Sequence, residues 1–251
     1  MSLDITWANV AIPAVLRRAM PQEATLIHIS SAAVQGSMQL DETEIYDCDT
    51  PYSLSKAAGE QTLLSELAGQ GGRSIIYRPT SVHGSDRKLT KQLKQVFRLP
   101  ILPKVTGSTS ALTVTSASSV ARGVAFLADN LAEIDVSSRI VLHPSEHVLQ
   151  SELVRASGKL LIPVPELFVR TALRLVANIP TAGVRGASRR VSAALLGQPS
   201  TAETLIAAGY SPLSAIEILD EAGISVDDHE TCEAHELQLS HPQRSESHET
   251  Y

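Results

Sequence analysis

The chain has 251 residues, 43% of them apolar, 19% charged and only 4% aromatic, with a formal net charge of −6. This is a globular composition, long enough for one substantial domain or two small ones, with a core built from Ala, Val, Leu and Ile rather than rings. It offers no basic face for nucleic acid, no membrane-length apolar run and no basic-then-apolar leader at Met1-Ser2-Leu3-Asp4, so a cytoplasmic location is expected.

From Ile5 to Ala19, apolar residues recur at helical spacing, with Pro13 predicting a kink or an early break. Thr25–Ser30 is a short apolar run of the kind that forms a buried parallel strand, and it opens into the small residues Ser31-Ala32-Ala33-Val34-Gln35-Gly36. Residues 38–49 are polar and acidic and read as a loop. A helix is expected from Pro51 to about Leu67, capped by Thr50 or Asp49 and ended by Gly69, Gly71 and Gly72. Arg73–Pro79 is a second buried strand, followed by the loop Thr80-Ser81-Val82-His83-Gly84.

Leu89–Phe97 reads as a basic helix, Leu99–Pro103 as a proline-bounded connection and Ala111–Thr115 as a short strand. Ser118 or Ser119 is expected to cap a helix through Val120, Val124, Phe126 and Leu127, and Arg139–His143 to form a third core strand. Strand, helix and strand in this alternation imply a parallel sheet covered by helices. From Gln150 the texture becomes mostly helical: a helix over Ser151–Ser157, a short strand over Leu160–Val164, then helices over Glu166–Val176, Thr201–Tyr210 and Leu213–Ala222. Three regions follow: 1–150 as the sheet-bearing domain, 151–226 as a helical region, and 227–251 as a polar, acidic tail expected to be disordered. Cys48 and Cys232 are expected to be free thiols. His229-x-x-Cys232-x-x-His235 is read as solvated tail rather than a metal site, and no metal is assigned.

Tyr52 and Lys56 lie four residues apart at the start of the expected helix, on one face and one turn from each other. The Lys56 ammonium and the helix N-terminus would both favour a phenolate, which makes a phenol usable as a proton donor and acceptor near neutral pH. Such a pair alone is a weak signal. Here it stands between two strand ends, Ser30-Ser31-Ala32-Ala33-Val34-Gln35-Gly36 and Arg78-Pro79-Thr80-Ser81-Val82-His83-Gly84. The C-terminal ends of parallel strands form one edge, where such sheets bind ligands.

The three motifs in this order resemble the extended short-chain dehydrogenase/reductase family, in particular its NAD-dependent epimerases, dehydratases and 4-ketoreductases of nucleotide-sugars. The resemblance covers Asn9 to about Ala222 and implies a partial Rossmann-like α/β fold, a parallel sheet with flanking helices, whose mostly helical C-terminal region binds substrate. It implies that Tyr52 is the catalytic acid/base, that Lys56 tunes it and binds the nicotinamide ribose, and that Ser31 holds the reacting substrate oxygen. Asn9, Pro79, Thr80 and Val82 fall at positions near the cofactor, NAD or NADP, and Ala32, Gln35 and His83 are candidate substrate contacts. His28 is read as a packing residue. A homodimer through the helix of Tyr52 is a further expectation.

The chain departs from the family in one large respect. It has no G-x-G-x-x-G or G-x-x-G-x-x-G and no strand signal before Thr25, so the glycine-rich part that holds the dinucleotide pyrophosphate is not recognised. Without that part, a sheet edge and apolar helix faces would be exposed. Three functions stay open: an NAD(P)-dependent enzyme acting on a nucleotide-sugar, a non-catalytic remnant or binding module that cannot hold the dinucleotide, and a hydroxysteroid-dehydrogenase-like oxidoreductase, which would need an apolar cleft.

Overall fold

The computed structural model describes residues 5, 7–70, 73–87, 90–91, 94–95, 99–106, 111–134, 139–149, 160–177, 188, 191–193, 195–214 and 217–218. The expected helix over 151–157 and the acidic tail lie outside these residues, as do most of the helices expected over 89–97 and 213–222.

The chain opens with a π-helical turn, Trp7–Ala11, which passes into α1, Ile12–Ala19. Pro13 stands in the first turn of α1, where its missing N–H goes unused. The irregularity expected at this proline is therefore a change of helix type. Arg17 is buried and closes the following turn, donating from Nη1 to the carbonyl of Ala24 at 2.7 Å and from Nη2 to that of Pro21 at 2.9 Å.

A three-stranded parallel sheet carries the molecule, in the order β1 (Thr25–Ile29), β2 (Arg73–Arg78), β6 (Ile140–Leu142). β1 pairs with β2 from Thr25↔Arg73 to Ile29↔Tyr77, and β2 with β6 from Ile76↔Ile140 to Arg78↔Leu142. The crossover from β1 to β2 is α2, Pro51–Gln70. Thr50 caps it as expected: its Oγ1 accepts from the Ser53 N–H at 3.1 Å while its own N–H donates to Ser53 Oγ at 3.1 Å.

Alternation along β2 explains why it is central. Ile75 and Tyr77 face a core with Leu127, Ile134, Val141, Leu205 and Tyr210, while Ile76 faces the other way onto Leu64 of α2 and Ile140. A strand covered on both faces must read as a continuous apolar run, and Ser74-Ile75-Ile76-Tyr77 is buried throughout. Each such side chain contributes roughly 1.5–3 kcal/mol on burial.

The remaining strands form two smaller sheets. β3 (Val82–His83) pairs parallel with β5 (Ala111–Ser116), which pairs antiparallel with β7 (Glu146–Leu149). β4 (Ile101–Thr106) pairs parallel with β8 (Leu160–Pro165), and α4, Glu166–Ala177, follows β8 directly. The connection expected at Leu99–Pro103 is thus largely a strand. Pro103, Pro163 and Pro165 are accommodated because a two-stranded sheet consists of edges, where a missing donor is tolerated.

Two helix starts also differ from expectation. α3, Ala117–Asp129, is capped by Ser116, whose Oγ accepts from the Ser119 N–H at 3.0 Å, instead of by Ser118 or Ser119. The helix expected over 201–210 shrinks to α5, Thr204–Ala207. Tertiary bonds claim the backbone before it: Leu40 donates to the Pro199 carbonyl at 2.9 Å and accepts from Thr201 at 2.8 Å. Glu42 then takes the Thr204 N–H at 3.1 Å and its hydroxyl at 2.6 Å.

Among the described residues, β1 forms an outer edge of its sheet, as expected for a chain without a recognised first sheet half. Trp7, Ile12, Val15, Leu16 and Ile29 are exposed. No helix among the described residues is long and apolar enough to cross a membrane.

Candidate functional site

The C-terminal ends of β1 and β2 and the first turns of α2 open onto one cavity of about 820 Å³. Ser31, Ala32, Tyr52, Lys56, Pro79, Thr80 and Val82 all line it. Ser31 follows β1 and starts a 3₁₀ turn, Ala32–Gln35, where its Oγ accepts from the Ala33 N–H at 3.2 Å. Tyr52 stands half-exposed on the first turn of α2.

One turn further, the Lys56 ammonium donates to the Ile29 carbonyl at 3.0 Å, across from α2 to the end of β1. Burial lowers the Lys56 pKa and the nearby Glu60 carboxylate raises it, with burial the larger effect. The Thr80 hydroxyl belongs to a triangle with Thr115 Oγ1 at 2.9 Å and Ser145 Oγ at 2.5 Å; those two oxygens are 2.8 Å apart. Ser145 also donates to the His143 carbonyl at 3.4 Å, so the floor of the cavity is held from β5 and from the segment after β6.

Three candidates lie away from the lining. Asn9 packs behind α2, its Nδ2 donating to Ser55 Oγ at 2.9 Å, and Ser55 in turn donates to the Tyr52 carbonyl at 2.8 Å. Asn9 therefore meets the helix that carries Tyr52 on another face. Gln35 is buried and pins the next loop, donating to Asp41 Oδ1 at 2.6 Å and accepting from the Asp41 N–H at 3.0 Å. His83 is buried at 3% exposure, 3.4 Å from Thr90 Oγ1, and desolvation lowers its pKa to about 4. His28 is likewise lowered to about 4, by burial and then by the Lys56 charge.

Other residues define the site that the motif reading did not single out. Glu60 and Arg78 are both fully buried and form an ion pair at 2.6 Å, and Glu60 accepts a hydrogen bond from Oγ of the cavity-lining Ser30. Arg87, Thr113, Ala193 and Gln198 line the far side of the cavity, brought in from after β3, from β5 and from beyond α4. Glu60 was within reach of sequence reasoning, because Tyr52, Lys56 and Glu60 repeat at four-residue steps along one helix face. Thr113 and Gln198 are far from the motifs in sequence and carried no comparable signal.

The residues present fit a nicotinamide dinucleotide at one end only. Tyr52 and Lys56 project a phenol and an ammonium into the same cavity, a donor set suited to a ribose and to the carbon that reacts beside it. For the pyrophosphate there is no matching cradle among the described residues. Their positive-φ glycines are Gly36, Gly197 and Gly209, and at Gly36 a Cβ would run into the Asp47 carbonyl and carboxylate, an anionic neighbour rather than an open anion nest.

A parallel sheet that delivers a serine, a Tyr-x-x-x-Lys pair and an Arg-Pro-Thr strand end to one cleft defines a Rossmann-like α/β protein of partial extent. Comparison with known proteins agrees with the resemblance read from the three motifs: residues 2–122 match the model of the NAD dependent epimerase/dehydratase family. No curated protein matches the chain.

Among solved structures, gox2253 superposes with a TM-score of 0.59 at 17% identity, covering 90% of this chain and 74% of that one. The dTDP-glucose 4,6-dehydratase (rfbB) from Bacillus anthracis str. Ames, in complex with NAD, gives 0.56 at 13% identity, with 89% and 68% covered. The terminal R domain from the myxalamid PKS-NRPS biosynthetic pathway gives 0.51 at 18% identity, with 87% of this chain covered. The chain spans about 60% of the length of that R domain. At these identities the likeness is one of fold.

Proposed function

We propose that this cleft belongs to an NAD(P)-dependent epimerase, dehydratase or reductase acting on a nucleotide-sugar. The observation that carries the reading is the convergence of Ser31, Tyr52, Lys56 and Thr80 on one cavity large enough for a sugar and a nicotinamide. A nicotinamide, when bound, supplies the hydride acceptor or donor.

The protein's own part is orientation and proton handling. Ser31 holds the substrate oxygen, Tyr52 takes its proton or returns it, and Lys56 places a positive charge one turn below the phenol. Tyr52 is half-exposed at the cavity wall and therefore accessible to a substrate hydroxyl. The hydroxyls of Ser31, Thr50 and Thr80, with the cations of Lys56 and Arg87, suit a hydroxyl-rich anionic substrate. A dTDP-glucose 4,6-dehydratase from Streptomyces venezuelae with NAD and TYD bound superposes at a TM-score of 0.53 and 15% identity, which is in keeping with this substrate class.

A second reading is favoured by the missing pyrophosphate cradle: a sugar-nucleotide-binding module without turnover. Tyr52→Phe separates the two. It keeps the ring and removes only the proton, so an enzyme is expected to lose turnover by at least about a hundredfold while its circular dichroism and melting stay unchanged. Retained turnover in Tyr52→Phe would exclude the acid/base role. An inactive parent chain that binds nucleotide-sugar equally well with and without the hydroxyl would leave the module reading in its place.

A further inference from the structure

We propose that the buried Glu60–Arg78 pair is the positioning centre of the cleft, joining its three cavity-lining segments through one carboxylate and one guanidinium. Glu60 is the third residue on the face of α2 that carries Tyr52 and Lys56. Its Oε1 accepts from Ser30 Oγ, the residue before Ser31, and from Arg78 Nε at 3.2 Å. Its Oε2 accepts from Arg78 Nη2 at 2.6 Å. Arg78 is the residue before Pro79-Thr80. The end of β1, the face of α2 and the end of β2 are thus tied at a single point, through Ser30 of the cavity lining, through Glu60 one helical turn after Lys56, and through Arg78 one residue before Pro79.

The remaining guanidinium nitrogen reaches a fourth segment. Arg78 Nη1 donates to the Thr43 carbonyl at 2.7 Å, and the Tyr46 ring packs 5.5 Å from the guanidinium carbon. The loop between the 3₁₀ turn and α2 is held down by the same pair. Both charges are fully buried, and buried ion pairs are often replaceable by well-packed apolar side chains at no loss of stability, so stability alone does not require charges here. A forked cation and a two-oxygen acceptor instead fix direction: five donors in one plane match carbonyls and carboxylate oxygens at set angles. Glu60 also places negative charge beside Lys56, offsetting part of the burial that lowers its pKa.

Glu60 and Arg78 are therefore positioning residues for the cleft. The inference rests on reading this cleft as the reaction site, yet its test needs no ligand, so absent turnover would sink that reading without touching this one. The measurement is amide hydrogen exchange, with the titration of Lys56 followed by its rate of reductive methylation against pH. His28 on β1 and Tyr52 and Glu60 on α2 are the other titratable groups around Lys56, with Arg78 paired to Glu60.

In Glu60→Gln/Arg78→Met both charges leave together, which spares the interior an unpaired ion. The expected result is cooperative unfolding, exchange faster by about tenfold at residues 30–36, 41–47 and 80–82, unchanged protection at the centre of β2, and a lowered Lys56 midpoint. Unchanged exchange at the three segments, or a uniform rise that includes the centre of β2, overturns the proposal. Should that variant fail to fold, Ser30→Ala decides, because it removes only the tie to β1 and leaves the pair intact. Faster exchange at residues 30–36 with unchanged global unfolding supports the proposal, and unchanged exchange there overturns it.

Discussion

At the scale of single residues, three histidines outside the proposed proton handling are held neutral by burial. His28, His83 and His143 are each lowered to about 4, in every case chiefly by desolvation. His143 shows how a neutral ring is used: its Nδ1 bonds the Tyr77 hydroxyl and its Nε2 lies 3.0 Å from Ser119 Oγ, joining β2, α3 and the segment after β6. A neutral imidazole in the fold binds fewer protons than the same group in the unfolded chain. Stability is therefore complete above about pH 6.5 and is lost as pH falls towards 4, by about 1–2 kcal/mol per histidine near pH 5. Denaturant midpoints at pH 7.5 and 5 should differ accordingly, and a flat profile would show that these rings are not held neutral. The sequence reading of His28 as a packing residue agrees with its burial, whereas the burial of His83, read as a candidate contact, was not legible, because burial depends on what folds over a ring.

At the scale of elements, local chemistry was readable wherever it acts within one segment. The capping of α2 by Thr50, the placement of Pro51 and the long apolar run of β2 are consequences of neighbours in sequence. What escaped was decided by partners far along the chain. Ile101–Thr106 became a strand because Leu160–Pro165 lies beside it, and the helix expected at Thr201 lost its first turn to Leu40. Helix approach is of the same kind. Gly59 lets α2 close onto the turn of Trp7–Ala11, since a Cβ there would fall far inside contact distance of the Asn9 carbonyl. Gly59→Ala is expected to destabilise by about 1–3 kcal/mol through overpacking, in spite of alanine's better helix propensity. An unchanged denaturation midpoint would show that the two elements can separate at no cost.

At the scale of the whole molecule, the cleft has one convincing end. The cavity gathers the phenol, the ammonium and the strand-end hydroxyls, while among the described residues no anion cradle appears, β1 is an open edge, and Trp7, Val15 and Leu16 are exposed. The isolated chain should therefore bind NADH more weakly than micromolar; a micromolar dissociation constant by calorimetry would overturn that expectation and reveal a second way of holding the pyrophosphate. By itself the sequence determined the family resemblance, the parallel α/β class and the convergence of Ser31, Tyr52, Lys56 and Thr80, because spacing on a helix face and the common direction of parallel strand ends are set locally. Only the tertiary structure decided that Asn9, Gln35 and His83 lie off the cavity lining and that Glu60 and Arg78 pair behind Ser30. Whether a polar side chain faces a cavity or pins a loop depends on which distant segment closes over it, and pairing between residues 60 and 78 exists only once α2 has packed across β2.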